Sequence, residues 1–337
     1  MKKIFNLIAS FVLLAGFSAC NKDGSDKPGL PPAPVPTVNY KGLTFISSGK
    51  STVCLAKVGA PDEITLEYST DESQWNPYTI GEKISMADGS FLLFRAGEQK
   101  NLTFSKGSDS YYHFEISGPV TAQGNIMSLL DRDFSTPLST NAFFALFEGG
   151  TSLMSAPELP ATTMEQGCYF RMFAECTGLK SAPELPAKEL AYNCYGWMFK
   201  GCSALTYVPD LPATEMVSYC YNNMFANCTS LKFAPELPAT RLDMGCYHCM
   251  FEGCTSLTSA PELPATELVS NCYEFMYKDC RNLRYVIGLF TTEPSEKTTK
   301  DWLSGVAASG TFIKSKKATW DVTSAHGVPE GWKIETW

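Results

Sequence analysis

The chain has 337 residues, is 44% hydrophobic and 18% charged, and carries a formal net charge of −8. The acidic balance argues against nucleic acid as a partner, because nucleic-acid-binding domains carry basic patches. The three histidines lie near no recognisable nucleophile or carboxylate pattern, and there is no G-x-S-x-G, H-E-x-x-H or P-loop, so we predict no enzyme activity, no metal and no other cofactor.

Residues 1–19 are predicted to be a lipoprotein signal peptide. Two lysines precede an apolar run over residues 4–17, which is too short to span a bilayer and is followed by small residues. The ending Gly-Phe-Ser-Ala-Cys resembles a bacterial lipobox, in which Cys20 becomes the lipidated first residue. By the same resemblance, Asn21 favours the outer membrane. We therefore expect a lipid-anchored protein exposed on the cell surface, with residues 20–39 as a polar, proline-rich tether.

Residues 40–120 alternate polar and apolar side chains in short runs, such as residues 43–46, 64–68 and 111–116. Turn residues rich in glycine, serine and proline separate these runs. Several strands at this spacing predict a small β-sandwich of immunoglobulin-like size. Trp75 is predicted to lie in its core, with a place on a binding edge as the alternative.

A motif close to L-x-x-A-P-E-L-P-A-T-x-x-x-x-x-C-Y-x-x-M-F-x-x-C-x-x occurs five times between residues 153 and 283 at a spacing of 26 residues. Two cysteine columns keep the same phase: Cys168, Cys194, Cys220, Cys246 and Cys272, then Cys176, Cys202, Cys228, Cys254 and Cys280. A period of this length predicts a leucine-rich-repeat solenoid over residues 121–290. One copy cannot bury its own apolar side, so neighbouring copies must stack. Residues 141–153 are a partial first copy.

The two halves of each copy are predicted to differ in conformation. A residue before proline is pushed toward extended geometry, so the P-E-L-P half is predicted to be extended. In the other half, a helical wheel places Cys168, Tyr169, Met172, Phe173 and Cys176 on one arc. This half is therefore predicted to be a short helix, with its recurring residues in the core and its varying residues on the surface.

The repeat cysteines allow more than one interpretation. Two cysteines eight residues apart on a helix are separated by about 12 Å along the axis, whereas a disulfide needs Cα atoms within roughly 7 Å. Pairing between stacked copies stays open, but free cysteine behaves as a small buried hydrophobe, and we favour unpaired core thiols. His248 and Cys249 add zinc-type ligands next to Cys246 and Cys254. Two ordinary surface substitutions on a helix are the favoured interpretation of that pair.

Residues 291–337 are predicted to be a C-terminal cap, in which Trp320, Trp332 and Trp337 close the last open face. Together these patterns predict an α+β fold. It comprises a small N-terminal β-sandwich, a leucine-rich-repeat solenoid with a 26-residue period, and the cap.

The repeat sequence also resembles a known family. The blocks L-x-x-A-P-E-L-P-A-T and C-Y-x-x-M-F-x-x-C-T-S-L are similar to those of the BspA-like leucine-rich-repeat surface proteins of Bacteroides-type anaerobes, as are residues 124–130 and 302–306. The resemblance implies a cell-surface lipoprotein that binds host or bacterial macromolecules. It implies no catalytic residues. Fold alone does not fix function, so adhesion follows from it only loosely.

Two surface features are candidate ligand-binding sites. The first is an acidic column, made by Glu158, Glu184, Asp210, Glu236 and Glu262. Stacked carboxylates repel one another, so the column favours a cationic partner or calcium; a solvated edge without a partner is the alternative. The second is the aromatic pair Tyr207 and Phe233, which occupies one position in neighbouring copies. The pair could anchor an interface or stack on a sugar, with local packing under a loop as the alternative.

The function that these features favour is a cell-surface binding protein of the adhesin type, which presents its repeats to a macromolecular partner. The alternative is a glycan-binding accessory lipoprotein of a nutrient uptake system, with Trp75 or the aromatic pair as its sugar platform. We expect a monomer whose partner is an extracellular protein or glycan. A second face, carrying Arg171, Trp197, Asn223 and His248, competes with the acidic column as the binding surface.

Overall fold

A computed structural model describes residues 39–98, 102–320 and 326–337 of the protein. The predicted signal peptide, nearly all of the tether and the predicted lipidation site at Cys20 lie outside these residues. Within the described ranges, no helix has the length and apolar character needed to cross a membrane.

The predicted α+β fold class, with its leucine-rich-repeat solenoid, is wrong. The regular structure of the described residues is nearly all β-sheet: it consists of fourteen strands and one 3₁₀ helix, Ile126–Leu129. The strands are β1 Thr44–Ser47, β2 Ser51–Val58, β3 Leu66–Ser69, β4 Asn76–Tyr78, β5 Ile84–Met86, β6 Phe91–Ala96, β7 Ser105–Gly107, β8 Ser110–Ser117, β9 Val120–Gln123, β10 Leu153–Ser155, β11 Glu262–Leu263, β12 Tyr285–Gly288, β13 Thr311–Lys314 and β14 Lys333–Thr336.

Three sheets account for these strands. A six-stranded sheet has the order β10-β9-β1-β6-β3-β4, and its pairs are antiparallel except that β10 runs parallel to β9. A four-stranded antiparallel sheet has the order β5-β2-β8-β7. A second four-stranded sheet near the C-terminus, β11-β12-β13-β14, is parallel throughout.

Aromatic rings from the two N-terminal sheets meet in a shared core. Phe45 of β1 and Phe94 of β6 both contact Phe114 of β8 edge to face, with ring centroids 5.1 and 5.4 Å apart. All three rings are fully buried. Phe114 in turn stacks on Phe147 at 5.4 Å, which joins this core to the repeats.

The second half of each repeat is a chain of tight turns where a helix was predicted. Alternate backbone amides form two kinds of hydrogen bond, one within a turn and one to the next copy. Phe170 N–H donates to the Gly167 carbonyl three residues back, at 3.0 Å, whereas Tyr169 N–H donates to the Cys194 carbonyl of the next copy, at 3.1 Å. Every fourth residue, for example Arg171 (φ 57°), adopts a left-handed conformation. Such a residue breaks the i to i−4 hydrogen-bond pattern of a helix, so the amides bond to the next repeat instead.

The recurring residues of this half are buried, as the wheel predicted. Cys168, Tyr169, Met172, Phe173 and Cys176 are all fully buried, because a chain with a turn every four residues places much the same positions inside as a helix does. Equivalent rings stack from copy to copy with centroids 5.3–5.7 Å apart in one column, which contains Phe147, Phe173, Phe199, Phe225, Phe251 and Tyr277. We call residues 141–305 the repeat stack.

The repeat cysteines are free thiols in this core. All twelve cysteines in the described residues are unpaired and buried, in agreement with the favoured interpretation. The thiols of the second cysteine column, which begins at Cys176, also form hydrogen bonds between copies. Each of them donates to the carbonyl of a residue 29 positions earlier. Cys176, for example, donates to Phe147 at 3.0 Å. Burial raises the pKa of Cys176 and Cys254 to about 12, so these thiols are not nucleophiles at neutral pH.

Aromatic side chains close the C-terminal end of the repeat stack. Trp302 stacks on Tyr273 with centroids 6.3 Å apart, and Trp320 stacks on Phe290 at 5.3 Å. Trp320 and Trp332 are buried, as predicted for a cap, but the prediction for Trp337 is wrong, since 58% of its side chain is exposed. It lies beyond β14, the edge strand, and has no neighbouring copy to cover it.

The left-handed position of Glu175 predicts a stabilising substitution. Glu175 is exposed with φ 59°, and the equivalent residues of two later copies are Gly201 and Gly253, with φ 76° and 72°. Because a side chain in this conformation is strained by roughly 1–2 kcal/mol, Glu175→Gly should raise the free energy of unfolding by about 1 kcal/mol in urea titration. Glu165→Gly is the control, since Glu165 is exposed but not left-handed. A loss of stability in Glu175→Gly as large as in the control would contradict the expectation.

Candidate functional site

The P-E-L-P halves of the repeats form one continuous exposed surface, which we call the PELP face. Side chains alternate along each segment, so that Leu159 and Leu185 are buried while Glu158 and Glu184 point to solvent. Prolines have no amide hydrogen to donate. The buried leucines pack these segments against the core, while the glutamate side chains between the prolines point to solvent.

The acidic column lies on the PELP face as predicted. Glu158, Glu184, Asp210 and Glu236 are exposed, and Glu262, in β11, is half-buried. None of the five carboxylates has a hydrogen bond or ion pair with another described residue. The fold thus makes no visible structural use of this column.

The aromatic pair is exposed on the same face. Tyr207 is 56% and Phe233 70% exposed, so the alternative of local packing under a loop does not hold. The two rings make no stacking contact with any described aromatic residue. The same position is serine in three other copies, namely Ser155, Ser181 and Ser259. The repeat therefore folds without an aromatic ring at this position.

A third aromatic residue, Tyr285, belongs to this column and was missed in the sequence. It follows Phe233 by two periods and Ser259 by one, and it is 38% exposed. The 26-residue period was sufficient to find it, but Tyr285 lies where the motif lapses into the strand-like run of β12.

A groove of about 300 Å³ runs between the first two P-E-L-P segments. Its walls are formed by Ser155, Ala156, Pro157, Glu158, Leu159, Pro160, Ser181, Ala182, Pro183, Glu184 and Pro186. We call it the PELP groove. The amide of Ala182 donates to the carbonyl of Tyr207 at 3.1 Å, which places the first exposed aromatic next to the groove.

Trp75, predicted in the core, is half-buried at the surface of the six-stranded sheet. The guanidinium of Arg95 lies 3.8 Å from its ring centroid, and Tyr40 contacts its edge at 5.1 Å. Arg95 also pairs with Glu67 at 2.7 Å. The core prediction fails because a cation, rather than apolar side chains, covers the indole ring.

The competing face of Arg171, Trp197, Asn223 and His248 is largely occupied by intramolecular contacts. Arg171 pairs with Glu148, Lys200 lies 3.7 Å above the Trp197 ring, and Asn223 is buried. His248 contacts Asn222 Oδ1 at 3.1 Å. These partners leave fewer free groups than the PELP face offers.

His248 and Cys249 lie close together but do not form a reactive pair. Cys249 Sγ is 3.8 Å from His248 Nε2, and Glu274 approaches the same nitrogen at 3.5 Å, so the carboxylate does not orient the imidazole toward the thiol. Burial lowers the pKa of His248, against the opposing effect of Glu274, and burial raises the pKa of Cys249. Across the described residues, no group of three or more His, Cys, Asp and Glu side chains could hold a metal ion.

No protein-family model, no curated protein and no solved structure matches the chain. The resemblance to BspA-like surface proteins stays a prediction.

Proposed function

We propose that the protein is an adhesin-like, cell-surface binding protein that uses the PELP face to hold a macromolecular partner. The observation that carries the proposal is the exposure of Tyr207 and Phe233 at a position where other copies of the repeat have serine. The lipobox resemblance at Cys20 supports a membrane anchor and surface display.

Exposed aromatic rings are the side chains that most often anchor protein interfaces. Tyrosine and tryptophan dominate binding hot spots because they bury a large area with few rotatable bonds. Single exposed apolar residues are common on protein surfaces and need no explanation. Two in one column, in adjacent copies of a repeat that has serine at this position in three other copies, are a more specific signal.

Glycan capture remains the alternative, and Trp75 supports it less than the sequence suggested. A sugar that stacks on tryptophan needs a free ring face, whereas Arg95 lies 3.8 Å from the Trp75 centroid. Tyr207 and Phe233 have no such cover, so they are the residues through which a glycan would bind.

The test is binding of lipid-free protein, residues 21–337, to paired arrays of extracellular-matrix proteins and polysaccharides. The variant Tyr207→Ser/Phe233→Ser restores the residue that other copies use, so it should fold normally. We expect a saturable protein partner whose affinity falls about 10- to 100-fold in this variant, as for the loss of two interface anchors.

Tyr192→Ser is the matched control, because Tyr192 is 46% exposed in a different column. Unchanged affinity in Tyr207→Ser/Phe233→Ser would overturn the PELP face as the binding surface. A polysaccharide hit that the same variant abolishes would assign the face to glycan capture instead.

A further inference from the structure

The aromatic pair and two carboxylates occupy repeat positions whose equivalents in the first two copies, Ser155, Glu158, Ser181 and Glu184, line one groove. Asp210 follows Tyr207 by three residues, and Glu236 follows Phe233 by three, and all four side chains are exposed. No described cation lies over either ring or pairs with either carboxylate. These two copies therefore each present an open ring together with an open negative charge.

Elsewhere in the protein, an aromatic ring and a carboxylate are already bridged by one cationic side chain. Arg95 stacks on Trp75, with its guanidinium carbon 3.8 Å from the ring centroid, and pairs with Glu67 at 2.7 Å. A guanidinium is well suited to both contacts, since its flat face is attracted to a ring and its edge donates to a carboxylate. The same chemistry on the PELP face has no intramolecular occupant.

We propose that the PELP face binds an extended, arginine- or lysine-rich polypeptide segment that lies along the repeat stack. The proposal rests on the proposed function and specifies its partner. Charge complementarity supports it, because the carboxylates of the acidic column have no cationic partner among the described residues and the whole chain has a net charge of −8. The same charge disfavours a second copy of this chain or an acidic glycan as the occupant.

The spacing of the repeats suits an extended segment. Consecutive copies are separated by 5.3–5.7 Å in the phenylalanine column, whereas alternate side chains of an extended peptide are roughly 6.6 Å apart. Over three copies, which are two intervals, this mismatch is only about 2 Å, which the long side chains of arginine and lysine can absorb. The PELP groove between Glu158 and Glu184 extends the surface beyond Tyr207.

Fluorescence anisotropy with a labelled twelve-residue peptide of alternating arginine and alanine tests the proposal. We expect saturable binding that weakens about tenfold in Tyr207→Ser/Phe233→Ser and about tenfold in Asp210→Asn/Glu236→Gln. The control variant Glu82→Gln/Glu115→Gln removes two exposed charges from the part of the chain before the repeats and should bind as the wild type does. A peptide with glutamate in place of arginine should not bind.

Equal loss of affinity in the control and in Asp210→Asn/Glu236→Gln, with no loss in Tyr207→Ser/Phe233→Ser, would overturn the proposal in favour of unspecific charge attraction. If the arginine peptide does not bind the wild type, but Tyr207→Ser/Phe233→Ser loses its affinity for an array partner, the proposal of a basic segment is wrong while the PELP face remains the binding surface. If the array partner also binds Tyr207→Ser/Phe233→Ser with the affinity of the wild type, the proposed function fails as well.

Discussion

Phe225→Ala is expected to lower the free energy of unfolding by about 4 kcal/mol, the range seen for fully buried phenylalanines. The Phe225 ring is fully buried and stacks on Phe199 and Phe251, each with centroids 5.7 Å away. Its removal leaves a cavity in the middle of the column and breaks two ring contacts at once. Urea unfolding followed by circular dichroism measures the change.

Phe233→Ala is the matched control for this substitution. Phe233 is 70% exposed and lies eight residues further along the chain, so its truncation should change stability by less than about 0.5 kcal/mol. Equal effects of the two substitutions would contradict the stacked arrangement of the repeats. Because each copy contacts mainly its neighbours, Phe225→Ala should also make the unfolding transition less cooperative.

Asp131→Ala is expected to lower the free energy of unfolding by about 3 kcal/mol at pH 7, because it removes the charged acceptor of three backbone amides. Asp131 is buried, and its carboxylate accepts from the amides of Asp133, Ser135 and Thr136 at 2.7, 3.3 and 2.5 Å. These bonds fold the loop that follows the 3₁₀ helix. Asp133→Ala is the control, since Asp133 is exposed and takes part through its backbone amide.

The effect of Asp131→Ala should depend on pH in a defined direction. Burial by itself raises the pKa of Asp131, but the hydrogen bonds from Thr136, Ser135 and Asp133 outweigh it, and the net pKa is lowered. A lowered carboxyl pKa contributes stability that is complete above the unfolded pKa, about 3.9, and is lost as pH falls through the folded value. The stability difference between wild type and Asp131→Ala should therefore narrow below about pH 4. A difference that stays constant down to pH 2 would contradict the assignment.

The sequence predicted which repeat residues are buried but not the backbone that buries them. Cys168, Met172 and Cys176 recur every four residues, and this spacing is common to a helix and to a chain of four-residue turns. The left-handed residues decide between the two, and most of them are not glycine: Arg171 and Trp197 adopt φ 57°. Their side chains give no sign of that conformation, which is imposed by the hydrogen bonds to the next copy.

The candidate site was predictable where it depends on the repeat period alone. The 26-residue period alone places Tyr207 and Phe233 at one repeat position, and Asp210 at the position of the other acidic residues. The packing of Trp75 was not predictable, because Arg95 reaches it across the sheet from β6. The PELP groove also escaped prediction, since it depends on the separation of two segments whose prolines have no amide hydrogen to donate.

Hydroxyl-radical footprinting of the protein with its array partner tests the PELP face most directly. Without the partner, Tyr207 and Phe233 should be oxidised at rates that reflect their exposures of 56% and 70%, beside Tyr192 at 46% and Met244 at 44%. With the partner bound, we expect protection of Tyr207 and Phe233 and unchanged oxidation of Tyr192 and Met244. Protection of Tyr192 and Met244 with continued oxidation of Tyr207 and Phe233 would place the partner on another surface and contradict the proposed function.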